Sequence, residues 1–257
     1  MTRPVFLADE REGTADRTAG DRVRLDGDEG RHAAQVRRIR VGEEVDVVDG
    51  EGTRLTCRVE GADKQGLDLL VLDRVDEGAP SPGIVLVQAL AKGGRDEQAV
   101  DVCTQIGVDE VVPWQSTRAI VKWEGQRAAK GRAKWEAVAR ASAKQARRAR
   151  VPRVREAVDS RGLAGLVADC VDGGGLALVC HEEATGSLTR FLADTPIGPD
   201  CPRVLLVVGP EGGIAPEEVE ALTGAGARLI GLGPTVLRSS TAGAVALTLV
   251  VAAAGRM

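Results

Sequence analysis

The sequence predicts an α/β protein in two parts, a small β domain followed by a larger domain on a parallel sheet. Three observations carry that prediction. Residues 1–76 hold short β signals set off by turns, and residues 77–83 place two prolines and two glycines between apolar runs. From 84 to 257, short and fully apolar runs alternate with helix signals, the pattern of strands buried on both faces. The expected organisation is therefore a β domain at 1–76, a linker at 77–83 and an α/β domain at 84–257.

In chain order, β signals fall at 5–7, 45–48, 54–59 and 67–72, with a hairpin turn at Asp49-Gly50-Glu51-Gly52. Regular short strands of this kind suit a small barrel. Residues 32–40 read as a short helix or turn whose basic face carries Arg37, Arg38 and Arg40. Three arginines this close form either a solvated face or, beside a barrel, a grip on phosphates. His32 at its start reads as a capping or packing residue. Beyond the linker, 84–90 is a buried strand ending in a loop with Lys92 and Arg95, which either face a substrate or form a solvated turn. A helix at 96–106 is stopped by Gly107, and 111–113 closes the first βαβ unit.

The stretch 126–155 breaks the acidic average of the chain, with eleven basic residues against Glu136 alone. Trp135, Val138, Ala139, Ser142, Ala146 and Ala149 form the inner stripe of an expected helix ending before Pro152. The outward residues include Lys144, Arg147, Arg148 and Arg150. Charge runs are usually solvated faces, but so large an imbalance reads as a footprint for a polyanion such as RNA. A helix at 163–171 and a strand at 176–180 follow. His181 sits at that strand's carboxyl end, as a base, a ligand contact or a plain polar strand end.

The last fifty residues hold the strongest signal. The apolar run 204–208 empties into Gly209-Pro210-Glu211-Gly212-Gly213, three glycines and a proline in five residues. Such a loop exposes main-chain N–H groups and lets a ligand approach them closely. Pro216, Glu217 and Glu218 suit the first turn of a helix that Gly224 or Gly226 ends. A strand at 228–232 opens a second loop, Gly233 to Arg238, and Ser239, Ser240 or Thr241 caps a final small-residue helix through Ala253. Both Gly-Pro loops thus fall at the carboxyl ends of parallel strands, the edge where open α/β sheets bind ligands. Neither matches a P-loop or a dinucleotide fingerprint, so an ordinary nucleotide site is disfavoured.

Composition bounds the rest. Formal net charge is −4, aromatic residues are 2% of the chain and tyrosine is absent, which argues against an aromatic stacking platform for single strands. Five cysteines without C-x-x-C spacing indicate neither a disulfide framework nor a zinc site, and no metal is expected. Residues 1–20 lack an apolar signal core, and no run approaches membrane-spanning length, so a cytoplasmic protein is expected.

GPEGGIAPEEVEAL followed by LGPTVLRSSTAGAVAL resembles the carboxyl-terminal signature of the RsmE-type ribosomal RNA methyltransferases, of the SPOUT class. KGGRDEQAVDVCTQIGVDEVVP and ASAKQARRARVP resemble further blocks of that family. RPVFL and HAAQVRRIRVGEEVDVVDGEG resemble its N-terminal PUA-like, RNA-binding barrel. The resemblance implies a SPOUT-type trefoil-knot methyltransferase domain preceded by that barrel, a homodimer, and S-adenosylmethionine as cofactor. It implies methylation of N3 of a uridine in 16S ribosomal RNA, free or in the assembled small subunit. Carried onto this chain, it implies cofactor contacts from Gly209, Pro210, Glu211, Gly212, Gly213, Leu232, Gly233, Pro234, Val236 and Leu237, with His181 near the pocket. Arg238 is the catalytic candidate, orienting the base or stabilising its deprotonated imide. Arg37, Arg38, Lys92, Arg95, Lys144, Arg147, Arg148 and Arg150 are the RNA-binding candidates. The chain departs from the family pattern at Gln105, Lys144, Ala215, Thr235 and Ser240. Two rival readings stand beside this one: a methyltransferase of the same class acting on another RNA position, and a noncatalytic ribosome-assembly protein that kept the fold.

Overall fold

Leu55, Cys57 and Val59 alternate with Arg54, Thr56 and Arg58, and this period of two becomes one of the two longest strands of a five-stranded sheet. The computed structural model describes residues 3–8, 14–198 and 200–257, so part of the stretch 1–20 that lacks an apolar signal core lies outside the described residues. The strands are β1 (Val5–Leu7), β2 (Arg22–Leu25), β3 (Glu44–Val48), β4 (Thr53–Ala62) and β5 (Leu67–Asp76), in the order β1-β3-β4-β5-β2. β1 and β3 are parallel and the other pairs antiparallel. All five strands feed one core, including Phe6, Leu25, Val47, Leu55 and Leu69. Register shifts at Thr56/Cys57 and Val59/Gly61 bend β4, as bulges do, and let the sheet curl over that core. The expected turn at 49–52 joins β3 to β4, with the Asp49 carboxylate accepting from the N–H groups of Glu51 at 2.7 Å and Thr53 at 3.0 Å. Residues 32–36 form a π turn that continues α1 (Gly27–Arg31).

The chain divides into two compact units, Met1–Ala79 with Ala143–Val151, and Pro80–Ser142 with Pro152–Met257. Ala149 joins Val5, Leu7 and Val48 in a small core of the first unit, and the Ala149 carbonyl accepts from Gly52 N–H at 3.2 Å.

The second unit is a seven-stranded parallel sheet. Its strands are β6 (Gly83–Ala89), β7 (Glu110–Gln115), β8 (Arg153–Val154), β9 (Val158–Asp159), β10 (Leu176–Cys180), β11 (Arg203–Val208) and β12 (Arg228–Ile230). They run in the order β12-β10-β11-β6-β7-β8, with β9 also on β7. Between them lie α2 (Arg95–Ile106), α3 (Gln126–Gln145), α4 (Ser160–Asp172), α5 (Leu188–Asp194), α6 (Pro216–Gly224) and α7 (Ser239–Ala253). Val85, Val87, Leu205 and Val207 pack with Leu163 and Val167 of α4 and Leu222 of α6. The alternate residues meet α7: a Cβ on Gly243 would lie 2.9 Å from Leu86 Cδ1, so glycine there lets α7 lie against the sheet without displacing Leu86. At the chain's end the Arg256 guanidinium forks onto Asp109 at 2.8 and 2.9 Å and donates to the carbonyls of Pro82 and Gly107.

One expected element ends early. The helix read as running to Pro152 stops at Gln145, because Arg147 adopts a left-handed backbone, φ 58°, and Arg148 N–H bonds back to the Ala143 carbonyl at 2.9 Å. Trp135, Ala139 and Ser142 are buried as expected, Val138 is half-buried, and Ala146 and Ala149 lie beyond the helix.

Candidate functional site

Because every strand of the second sheet is parallel, the loops after β6, β10, β11 and β12 share one edge. The loop after β11 is the 209–213 run. A Cβ on Gly209 would lie 2.6 Å from Ile214 Cγ1, and Gly213 holds φ 74°, so glycine is required at the first for space and at the second for backbone. Glu211 ties this loop to its neighbour after β6, accepting from Arg95 Nη1 at 2.8 Å and from the Lys92 main chain. Burial acts to raise the Glu211 carboxyl, but these bonds and its own N–H hold it below the usual carboxylate range. Arg95 is thus engaged by a carboxylate of the same edge, while Lys92 is exposed.

The loop after β12 is built differently. Gly231 is clasped on both sides, donating to the Gly186 carbonyl at 2.8 Å and accepting from Leu188 N–H at 2.9 Å. From Leu232 to Leu237, among the described residues, no main-chain N–H is given to a protein acceptor. Gly233 has φ 143° and open space where a Cβ would stand, and Val236 is 75% exposed. This stretch offers a row of unspent donors beside an exposed apolar side chain, which suits a ligand with both polar edges and apolar faces. Pro210 is buried and Pro234 exposed, each stiffening its loop.

Arg238 is the N-cap residue of α7, extended at φ −66°, ψ 151°, with Ser239 and Ser240 buried behind it. Its side chain is exposed, and among the described residues it makes no hydrogen bond or ion pair. His181 follows β10; its main chain bonds the Ile230 carbonyl at 3.1 Å, and its Nδ1 accepts from Glu183 N–H at 3.2 Å. Only Nε2 is left to meet a ligand. Cys180 beside it is pushed up to about 12 by burial and carries no thiolate at neutral pH. Among the described residues, no group of three or more His, Cys, Asp or Glu is placed to hold a metal.

Sequence reasoning missed the support beneath this edge. Glu218, read only as a first-turn carboxylate, is buried and accepts from Thr117 N–H at 2.7 Å, Thr117 Oγ1 at 3.0 Å, Ala215 N–H at 3.0 Å and the Ser160 hydroxyl. Ala215 has no side-chain oxygen, so only the Glu218 half of a capping box exists at α6. Burial pushes the Glu218 carboxyl up, and the four hydrogen bonds more than offset it, leaving it below the usual range. Thr117 is the second residue of the 116–125 segment after β7, and the next residue, Arg118, donates from Nη1 to the Gly212 carbonyl at 3.2 Å. The Glu at the third helical position was a visible signal; its partner 101 residues away was not.

The remaining RNA-binding candidates lie in the first unit. Arg37, Arg38 and Arg147 are exposed, the last two on left-handed backbone, and the Arg147 carbonyl accepts from Arg54 Nη2 at 3.0 Å. Lys144 instead pairs with Glu29 at 2.7 Å over the Phe6 ring, and Arg150 donates to the Glu77 carbonyl at 2.7 Å. Arg148 is half-buried. The basic run is balanced by distant acids as well: Lys134 by Glu97, Arg132 by Glu136 and Glu156, Arg155 by Glu110. Of the eleven basic residues, Arg132, Lys134, Lys144 and Arg155 thus meet a carboxylate, and Arg147 stays exposed.

Comparison with known proteins gives a consistent result. Residues 79–251 match the RNA methyltransferase domain and residues 25–72 the RNA methyltransferase PUA domain. The chain is 46% identical over 223 residues to ribosomal RNA small subunit methyltransferase E of Mycobacterium tuberculosis, covering 87% of this chain and 83% of that one. It is 30% identical over 230 residues to the Bacillus subtilis protein of the same name, covering 87% of each. A crystal structure of the Neisseria gonorrhoeae protein of that name, bound to S-adenosylmethionine, superposes with a TM-score of 0.82 at 25% identity over 98% of both chains.

Proposed function

This chain belongs to the ribosomal RNA small subunit methyltransferase E family, and from that premise we propose that it methylates N3 of a uridine in 16S ribosomal RNA with S-adenosylmethionine as donor. The observation that carries the reading is the pair of Gly-Pro loops on one sheet edge, with main-chain donors unspent from Leu232 to Leu237. Their residues fit the cofactor: open space beside Gly233, exposed Val236 and half-buried Leu232 and Leu237 suit the adenine and its ribose, and Gly209 to Gly213 close the other side. Glu211 is committed to Arg95 and Lys92, so it shapes its loop, and His181 offers Nε2. When bound, the cofactor supplies an electrophilic methyl carbon.

The protein's own work is placement and charge. Stiff loops fix the approach, which is where most of the barrier reduction in such a transfer lies. The uridine imide must give up its N3 proton, which passes to solvent, to become a nucleophile, and the unneutralised Arg238 guanidinium stabilises the resulting negative charge.

The carboxyl-terminal segment is read as a trefoil knot. Its path supports this: β12 lies at the sheet's edge beside β10, Gly231 is clasped by the 186–188 segment, and α7 then packs beneath Leu86 and Val208 in the middle of the sheet. The homodimer is supported by α7, whose apolar Val245 and Leu249 remain half-exposed along a helix that is buried over most of its length. The substrate, 16S RNA free or in the small subunit, places the protein in the cytoplasm; among the described residues no helix is long and apolar enough to cross a membrane. Calorimetry tests the cofactor site. The wild-type chain is expected to bind S-adenosylmethionine, and Gly233→Ala to bind it roughly tenfold more weakly, since a Cβ both strains φ 143° and enters the space beside the loop. Equal affinity would remove this loop from the site.

A further inference from the structure

We propose that Arg118, on the segment after β7, is a substrate-binding residue that takes a backbone phosphate of the RNA at the rim of the cofactor loops. The proposal rests on the RNA methyltransferase reading for the nature of the ligand, and on geometry for the residue. Thr117 is fixed by two hydrogen bonds to the buried Glu218 carboxylate, at 2.7 and 3.0 Å, so the main chain delivering Arg118 is anchored to the start of α6. A second set of bonds holds the segment's far end, where Trp123 N–H donates to Gln115 Oε1 at 2.7 Å and the Trp123 ring meets Trp135 edge-on at 5.2 Å. Arg118 is therefore an exposed side chain on a preorganised base, which lowers the ordering cost of binding.

Its electrostatic state sets it apart from its neighbours. Arg95, on the same edge, is neutralised by Glu211 at 2.8 Å. Arg118 meets only a neutral carbonyl, that of Gly212 at 3.2 Å, and among the described residues it has no carboxylate partner. Lys122 on the same segment likewise donates to a carbonyl, that of Ser116, at 3.0 Å. A guanidinium has five N–H donors in a planar fork, and the Gly212 contact uses one. The rest of the fork faces solvent, in the geometry that grips a phosphate bidentately. The side chain runs alongside the loop: a Cβ on Gly212 would stand 3.5 Å from Arg118 Cβ and one on Gly213 3.7 Å from Nη1, both ordinary contact distances. A ligand arriving from solvent against a methyl-donor loop, with a diffuse negative charge, is the RNA strand itself.

The test is binding of fluorescently labelled 16S ribosomal RNA at several salt concentrations by wild type, Arg118→Ala and Arg118→Lys, with S-adenosylmethionine affinity measured beside it. For Arg118→Ala the RNA affinity is expected to fall about tenfold at moderate salt. The slope of log affinity against log salt should shrink by about 1. Cofactor affinity should stay unchanged. Arg118→Lys should keep the wild-type slope, because the charge is retained. Parallel loss of cofactor affinity in Arg118→Ala would overturn the proposal and make Arg118 a support for the Gly212 loop. An unchanged salt slope, or a wild-type chain that does not bind RNA, would overturn it too. The slope is read from binding alone, so a chain that binds RNA but transfers no methyl group would refute the reaction and not this contact.

Discussion

Replacing Arg238 with alanine is expected to lower kcat by roughly 10²- to 10³-fold, the usual cost of losing one preorganised group that stabilises charge developing in the transition state. Cofactor affinity should hardly change, because the loops proposed to hold the cofactor present main-chain groups and Arg238 lies at the start of α7 with an exposed side chain. The two readouts separate two roles. A residue that stabilises the deprotonated imide lowers kcat, whereas one that only holds the Gly233-Pro234 loop would weaken cofactor binding and leave the chemical step close to normal. Arg238→Lys keeps the charge but not the planar fork, so partial recovery is the expected result. Wild-type turnover in Arg238→Ala would remove the residue from the mechanism.

Glu218→Ala should have the largest effect on stability, about 2–4 kcal/mol, because it leaves the N–H groups of Thr117 and Ala215 and the Ser160 hydroxyl without their acceptor in a buried site. It also unlocks the 116–125 segment from α6. The pH dependence follows from the sign of the shift. The folded carboxyl titrates below its unfolded value, so its contribution is complete above the unfolded value and is lost as pH falls through the folded one. Chemical denaturation from neutral to acid pH should show the gap between wild type and Glu218→Ala narrowing on the acid side. A gap that is small at neutral pH, or that widens on acidification, would contradict the role given to this carboxylate.

The sheet edge was legible in the sequence because its parts are local. An apolar run followed by Gly-Pro-Glu-Gly-Gly reads as strand and loop whatever surrounds it, and Pro216 with two glutamates reads as a helix start. What was not legible depends on partners far along the chain. That Lys144, Lys134, Arg155 and Arg132 of the basic run meet Glu29, Glu97, Glu110 and Glu156 leaves no mark in the local sequence. The end of α3 was misread because the inner stripe continues to Ala149, while the left-handed turn at Arg147 leaves no compositional mark that a glycine would. β8 and β9, of two residues each, are too short to carry a period. The 116–125 segment has no periodicity at all, and its importance lies entirely in contacts to Glu218 and Gly212.

The most direct test of the account is transfer of tritiated methyl from S-adenosylmethionine to small ribosomal subunits from a strain lacking this protein, followed by digestion of the 16S RNA and separation of its nucleosides. Label is expected in 3-methyluridine, and it should disappear with Arg238→Ala. Label in another nucleoside would contradict the assigned target, and absence of label together with absence of cofactor binding would contradict the assignment of a methyltransferase.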